Sequence, residues 1–159
     1  VAGRYLTLCD AGLLPEPAQG QSPGRSSSWS VKVPPGRYRV SVRVRRSTRG
    51  TWPVVAAARV MREGSDASES REVAAVDVDH AALAIYDRQT FLKRVPPDRR
   101  ESYALELLDV RDRPALIVAG GGAPVLLVPT GEGDGSYPVC ELWCGDTVVG
   151  CQVHFTAGA

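Results

Sequence analysis

The end of the sequence contains a group of side chains of the kinds that bind zinc. The group consists of Cys140, Cys144, Cys151 and His154. A zinc ion needs four such ligands within about 2.0–2.3 Å. The residues Gly145-Asp146 predict a two-residue turn and therefore a β-hairpin. In that hairpin Cys140 and Cys144 lie about 13 Å apart along one strand, and the His154 side chain points to the opposite face. We therefore expect no metal site.

The same hairpin predicts a pair of neighbouring thiols. A two-residue turn sets the register so that Cys140 lies opposite Cys151, with Cα atoms about 5.5 Å apart. That distance is within reach of a disulfide. In a reducing compartment two buried thiols pack as small apolar side chains instead, and we favour free thiols. The face predicted to enter the core carries Cys140, Leu142, Cys144, Thr147, Val149, Cys151, Val153 and Phe155.

The sequence contains no recognisable catalytic motif. The two histidines, His80 and His154, are far apart along the chain, and nothing else supports a nucleophile site. The glycine-rich stretch 131–136 lacks the lysine and the following helix of a phosphate-binding loop, so we interpret it as a turn. We predict no catalytic residue and no cofactor, which favours a protein that is not an enzyme.

Three aspartates are candidate ligands for a hard cation. Asp79, Asp87 and Asp134 lie at predicted strand ends or in turns. Carboxylates that converge in this way can bind Ca²⁺ or Mg²⁺. A site built on them defines the alternative function, a ligand- or divalent-metal-binding domain or an enzyme. The competing interpretation is that each aspartate caps a helix or stabilises a turn.

Residues 37–45 alternate strictly between two kinds of side chain. One face carries Tyr38, Val40, Val42 and Val44, and the other carries Arg37, Arg39, Ser41, Arg43 and Arg45. This period of two predicts a half-buried antiparallel strand with its valines inside. The arginine face could bind an acidic protein partner or phosphates. It could also be a solvated face that pairs with carboxylates on neighbouring strands, or one that protects an edge strand from other chains.

The elements that position these residues are mostly strands. Alternating or short apolar runs predict strands at Tyr5–Cys9, Arg37–Arg45, Val54–Arg62, Val73–Val78, Ala82–Tyr86, Leu116–Val118 and Val125–Val128, followed by the hairpin 138–155. The segments Ala11–Ser28 and Gly64–Ser70 are predicted loops. Asp87 can cap a helix through Arg94. For a second helix, Asp98 and Glu101 have capping-box spacing, and the apolar stripe is Ala104, Leu107 and Leu108.

This pattern predicts a mainly β protein. We expect an antiparallel two-layer β-sandwich with one or two short helices, formed by residues 1–159 as a single domain. The formal net charge is +1, which argues against nucleic acid as a partner. No apolar stretch approaches the ~18 residues that span a membrane, so we expect no membrane partner. Without a visible signal peptide or a disulfide framework, the expected location is the cytoplasm.

Several short motifs also follow one another in a characteristic order. They are Leu6–Asp10, Val33–Val40, Val55–Arg59, Val78-Asp79 leading to Asp87, and Gly133–Val139 with the hairpin behind it. In this order they resemble the bacterial family catalogued as "domain of unknown function 4241", over nearly the whole chain. The resemblance implies a similar fold and no particular activity.

These observations predict a non-enzymatic binding or interaction module. Such a module could be an inhibitor or immunity-type protein that docks on a protein partner. The candidate binding residues are therefore Arg37, Arg39, Arg43 and Arg45 on the basic face, and Asp79, Asp87 and Asp134 at the acidic turns.

Overall fold

The architecture consists of two β-sheets and two helices. The computed structural model describes residues 5–14, 25–26, 28–47, 53–109, 115–118, 122–131 and 133–155. Its strands are β1 (Tyr5–Asp10), β2 (Arg25–Ser26), β3 (Ser28–Lys32), β4 (Tyr38–Arg46), β5 (Pro53–Arg62), β6 (Glu69–Val78), β7 (Ala82–Asp87), β8 (Ala115–Val118), β9 (Pro124–Pro129), β10 (Gly135–Cys144) and β11 (Thr147–His154). The helices are α1 (Arg88–Arg94) and α2 (Pro97–Asp109), and a 3₁₀ turn covers Ala11–Leu13.

The strands form two sheets that pack face to face. Sheet 1 has the order β3-β1-β7-β9-β8, and sheet 2 has the order β2-β6-β10-β11-β5-β4. Within the described ranges every pairing is antiparallel except that of the two-residue strand β2 with β6, which is parallel. The predicted mainly β sandwich with short helices is confirmed.

The core between the sheets is built from alternate residues of each strand. Leu8 and Ile85 of sheet 1 and Val60, Val139 and Phe155 from the sheet 2 side are among its buried members. Burying alternate apolar residues of two sheets against each other is the main stabilising contribution in a sandwich. Phe155 also makes an edge-to-face contact with the ring of Tyr137, with 5.4 Å between the ring centroids.

A second buried cluster covers the other face of sheet 1. Tyr86 on β7 contacts Phe91 of α1 at 5.1 Å between ring centroids, and Phe91 contacts Tyr103 of α2 at 5.8 Å. Leu107 of α2 is fully buried in the same cluster. The helices therefore cover the back of sheet 1, and all six residues of β7 are buried. Neither helix of the described chain has the length and apolar character of a membrane span.

The predicted helix starts are half right. The Asp87 side chain accepts a hydrogen bond from the backbone N–H of Thr90 and caps α1, as predicted. The predicted capping box is wrong because α2 already begins at Pro97, so Asp98 lies inside the first turn. Proline is favoured at the first helical position, where its missing N–H needs no partner. The buried stripe contains Ala104 and Leu107 as predicted, and Leu108 packs against it.

The predicted strands are all present, and two strands were absent from the prediction. β2 lies inside the predicted loop Ala11–Ser28, and β3 starts at its last residue. The part of that loop at 15–24 lies outside the described residues. β3 pairs with β1, so Leu6 lies opposite Val31, and both are buried in the core between the sheets.

The terminal hairpin has the predicted turn and a different register. Gly145 has a φ of 56°, which suits the first central position of a tight hairpin turn. Cys144 pairs with Thr147 as predicted, but an irregularity between Leu142 and Trp143 then shifts the ladder by one residue. Such a β-bulge sets two residues of one strand against one residue of the other. The predicted pairing of Cys140 with Cys151 is therefore wrong.

The shifted register places Cys140 and Cys151 on opposite faces of sheet 2. Cys140 pairs with Gln152, and its neighbour Val139 pairs with Val153. Because Val139 and Val153 lie in the core, Cys140 points to the outer face. Cys151, Val153 and Phe155 belong to the core between the sheets, as predicted. Cys140 and Leu142 are buried but do not belong to this core. The prediction is also wrong for Cys144 and Thr147, which are exposed.

None of the four cysteines forms a disulfide, as favoured from the sequence. Complete burial raises the pKa of the Cys151 thiol to about 12, so it stays protonated at neutral pH. Burial also raises the pKa of Cys140. Since the thiolate is the reactive species, buried thiols with raised pKa values react slowly.

We expect iodoacetamide at pH 7.5 to alkylate one position of the native protein, Cys144, which is the exposed cysteine. Mass spectrometry should find all four sites modified after unfolding in guanidinium. A Cys144→Ser variant is the matched control and should stay unmodified while folded. Rapid labelling of native Cys151 would contradict the position of this residue in the core.

Truncating Phe155 should strongly destabilise the fold. Phe155 is 1 % exposed, and replacing a buried Phe by Ala costs about 3–5 kcal/mol. Urea denaturation of Phe155→Ala measures this loss. Leu105→Ala is the control, because Leu105 is 61 % exposed and should change the free energy of unfolding by about 0.5 kcal/mol or less. A loss similar to that of the control would contradict the hairpin as described.

Candidate functional site

A buried carboxylate, Asp10, organises the turn between β6 and β7. Its side chain is fully buried at the end of β1. One oxygen, Oδ1, accepts hydrogen bonds from the N–H of Gly12 at 2.7 Å and pairs with Nδ1 of His80 at 2.8 Å. The other oxygen, Oδ2, accepts from the backbone N–H groups of Asp79 and, at 3.0 Å, His80. Three of these four contacts tie the end of β1 to a turn far along the chain.

Asp10 is not among the aspartates that the sequence singles out. It is the last residue of an apolar strand, and a polar residue at such a position usually does no more than end the strand, so the sequence gives no reason to select it. Gly12 is a further hint, since a side chain at this position would come within 2.6 Å of the His80 ring. The glycine therefore leaves room for the imidazole to lie close to the backbone beside Asp10.

Asp134 supports the same turn from the other side. Its Oδ1 accepts a hydrogen bond from the N–H of Ala81 at 2.9 Å. Ala81 has a φ of 54°, a left-handed conformation that residues other than glycine adopt at an energetic cost. Asp79 contributes its backbone N–H to the turn and exposes its side chain. Asp134 thus matches the turn-stabilising interpretation, whereas Asp79 takes part in the turn through its backbone alone.

Asp87 lies at the opposite end of β7 from this turn. Six residues of extended strand separate the two ends by roughly 17–20 Å. The carboxylate is 7 % exposed and caps α1 through the N–H of Thr90 at 3.0 Å. The three predicted acidic residues therefore do not share one site. Among the described residues no group of three or more His, Cys, Asp or Glu side chains is arranged to hold a metal ion.

The alternation predicted for residues 37–45 is preserved in β4. The ladder pairs Val40 with Val60 and Val42 with Ala58. An irregularity between Arg43 and Val44 then shifts the pairing so that Val44 lies opposite Val55. Because Val55, Ala58 and Val60 all belong to the core, the β4 valines face the sandwich side. The four arginines occupy or flank the outer face, as predicted.

The prediction that these valines are buried is wrong. Val40, Val42 and Val44 are 42 %, 38 % and 54 % exposed. β4 is the last strand of sheet 2, and the described strands of sheet 1 do not cover it. Among the described side chains on this face of β4, only Tyr38, at the start of the strand, is half-buried and packs against the core. We call the exposed row of Val40, Val42 and Val44 the valine face.

A groove begins at the inner end of the valine face. It has a volume of about 450 Å³ and is lined in part by Tyr38 and Val40 of β4 and by Leu6, Ile85 and Leu126 of sheet 1. Asp87 and Arg94 lie at its polar end. Burial raises the pKa of the Tyr38 hydroxyl, although the Arg62 guanidinium acts in the opposite direction. The Tyr38 hydroxyl donates a hydrogen bond to the carbonyl of Pro34.

The arginines on the outer face differ in their contacts. Arg37 precedes β4, and its Nε lies 3.4 Å from Oε2 of Glu63, with its side chain 88 % exposed. Arg45 is half-buried and donates a hydrogen bond to the carbonyl of Arg46. Arg39 and Arg43 are exposed and form no ion pair with the rest of the described chain. We call Arg39 and Arg43 the arginine pair.

No family model, curated protein or solved structure matches this chain. The resemblance to the "domain of unknown function 4241" family therefore stays a prediction. The geometry separates the two candidate surfaces. The aspartates Asp10, Asp87 and Asp134 make contacts within the fold, whereas β4 presents exposed side chains to the outside.

The role of Asp10 can be tested by removing its charge. Asp10→Asn replaces an acceptor oxygen by an amide donor, and each buried donor left without a partner costs about 1–3 kcal/mol. We expect a clear loss of free energy of unfolding in urea. Asp79→Asn is the matched control with little expected change, because the Asp79 side chain is exposed. Equal stability of the two variants would contradict the structural role of Asp10.

Proposed function

We propose that this domain is a protein-binding module that docks an extended segment of its partner along the free edge of β4. The observation that carries this proposal is the valine face, which is exposed although it points to the core side of an edge strand. Single exposed apolar residues are common, whereas a continuous apolar row on one element is typical of an interaction site.

The backbone of β4 supports the same proposal. Over Tyr38–Val44, β4 pairs with β5 on one side and with no other strand of the described chain. An edge strand of this kind presents backbone N–H and C=O groups that can pair with another extended segment. Strand addition of this type is a recurring way to recognise peptides, in which the backbone supplies affinity and the alternating side chains supply specificity.

The charge of β4 argues against a second copy of this chain as the occupant. Antiparallel pairing of two β4 strands centred on Ser41 would place Arg39 of each copy opposite Arg43 of the other. Like charges directly opposite each other in a ladder are destabilising. The arginine pair therefore protects the edge from self-association and leaves it open to a different protein.

A docking function needs no catalytic residue, which is how an inhibitor or immunity-type protein acts. The acidic turns support this class indirectly, since Asp10, Asp87 and Asp134 are engaged in holding turns or a helix end. We propose that the domain works in the cytoplasm, a reducing compartment in which cysteines such as these stay thiols.

A displayed library of random linear peptides tests the proposal. Wild-type domain should select peptides that bind with a Kd of about 1 mM or tighter. The variant Val42→Lys/Val44→Lys, which places charges on the valine face, should bind the selected peptides at least about ten-fold more weakly. Leu105→Lys is the matched control, because Leu105 is an exposed apolar residue on α2, and it should bind like the wild type.

Two results would overturn the proposed function. One is that no peptide binds the wild type, and the other is that the selected peptides bind the wild type and the β4 variant equally. Thermal unfolding of each variant shows whether it is folded. If the lysine variant unfolds, Val44→Thr replaces it, since this change keeps the shape of the side chain and removes apolar surface.

A further inference from the structure

We infer that the segment recognised by β4 alternates acidic with apolar side chains and carries one large apolar side chain that enters the groove between the sheets. This inference rests on the proposed function and specifies its ligand. It follows from the two different faces of β4 and from the groove at the inner end of the valine face.

At the ladder positions beside the arginine pair, the described strands β5 and β11 present no carboxylate on the outer face. In the ladder Arg39 lies opposite Met61, Ser41 opposite Arg59 and Arg43 opposite Ala57. One strand further, β11 contributes Gly150, Gln152 and His154 at the same levels. Within the described part of the chain, the neighbouring strands therefore do not neutralise the arginine pair, contrary to the interpretation that carboxylates on these strands pair with the arginine face. Aspartate or glutamate on an added strand would supply the missing opposite charges across the ladder.

The inner face makes the opposite demand. Side chains of an added strand alternate between the faces of the sheet in step with those of β4. Every second side chain would therefore lie beside Val40, Val42 or Val44, where an apolar group removes exposed apolar surface from water. An acidic group on this face would lose hydration without gaining a cationic partner on β4.

The groove selects for size at one position. Its walls are the side chains of Tyr38 and Val40 on one side and Leu6, Ile85 and Leu126 on the other. Its volume of about 450 Å³ lies in the range of pockets that bind small apolar groups. A Phe or Leu side chain of the added strand fits this environment. The polar end is already used in the fold, because Asp87 caps α1 and Arg94 donates a hydrogen bond to the Gly122 carbonyl.

The same arrangement disfavours nucleic acid as the occupant. A nucleic-acid strand offers phosphates on its backbone and bases that stack on aromatic rings. The described outer face of β4, β5 and β11 carries no Phe, Tyr or Trp at the ladder positions beside the arginine pair, and His154 is the one ring there. The valine face on the other side of the same strand has no use in phosphate binding.

Four synthetic peptides of equal length test this inference. The first alternates Glu with Val and has one Phe among its apolar positions; the second replaces Glu by Lys. The third has the composition of the first with Glu and apolar residues in separate blocks, and the fourth replaces Phe by Ser. The wild type should bind the first peptide at least about ten-fold more tightly than each of the other three by isothermal titration calorimetry.

Charge reversal on the protein is the decisive variant. Arg39→Glu/Arg43→Glu should reverse the preference, so that the Lys peptide binds more tightly than the Glu peptide. Lys93→Glu/Arg99→Glu is the matched control, because it makes the same change of charge at exposed helix positions and should keep the wild-type preference. If the reversed variant unfolds, Arg39→Ser/Arg43→Ser should lose the preference for Glu over Lys.

The outcomes separate the two proposals. If library peptides bind at β4 but carry no acidic alternation, and charge reversal leaves their affinity unchanged, the inference is wrong and the docking function stands. If no peptide binds at β4, the proposed function is wrong. A single-stranded DNA oligonucleotide that binds the wild type as tightly as the Glu peptide would also overturn the inference.

Discussion

The complete burial of β7 is the constraint on which the rest of the structure depends. This central strand of sheet 1 is covered by the core between the sheets on one face and by the two helices on the other. A strand buried on both faces cannot expose polar groups along its length, so its polar contacts gather where it ends. Asp87 terminates it by capping α1, and Asp10 and Asp134 hold the turn before it.

The position of sheet 1 also explains why the valine face of β4 is exposed. Sheet 1 is covered on two sides, and its facing surface meets sheet 2 mainly through β5, β6, β10 and β11. β4 lies beyond this contact at the end of the sheet. Its valines follow the pleat toward the core side but find no opposing layer among the described residues. The register of β4 thus turns its valines toward the core side at a place where the core has ended. A partner that packs on the valine face would supply the missing layer.

The sequence predicts most of the fold because the signals are local. Alternation identified β4, turn residues identified the hairpin, and Asp87 identified the start of α1. Three features depend on distant partners and could not be predicted. The first is the bulge that separates Cys140 from Cys151. It lies in a hairpin whose strand β11 also pairs with β5, and β5 is so close that a side chain at Gly150 would meet the Val60 carbonyl at 2.1 Å. The exposure of the valine face depends on which strands lie opposite, and the contacts of Asp10 depend on a turn about 70 residues away.

The Asp10 contacts also have a consequence for the order in which the chain folds. The turn at 79–81 carries the chain from sheet 2 into sheet 1, and it contains a left-handed alanine. Its backbone N–H groups donate to two side chains that are distant in sequence. Asp10 lies 69 and 70 positions before its two donors, and Asp134 lies 53 positions after its donor. A turn held in this way cannot nucleate folding from local interactions, because the loops that bring its acceptors close must be formed first. We therefore expect the crossing from β6 to β7 to form late, when β1 and the segment before β10 are already in place.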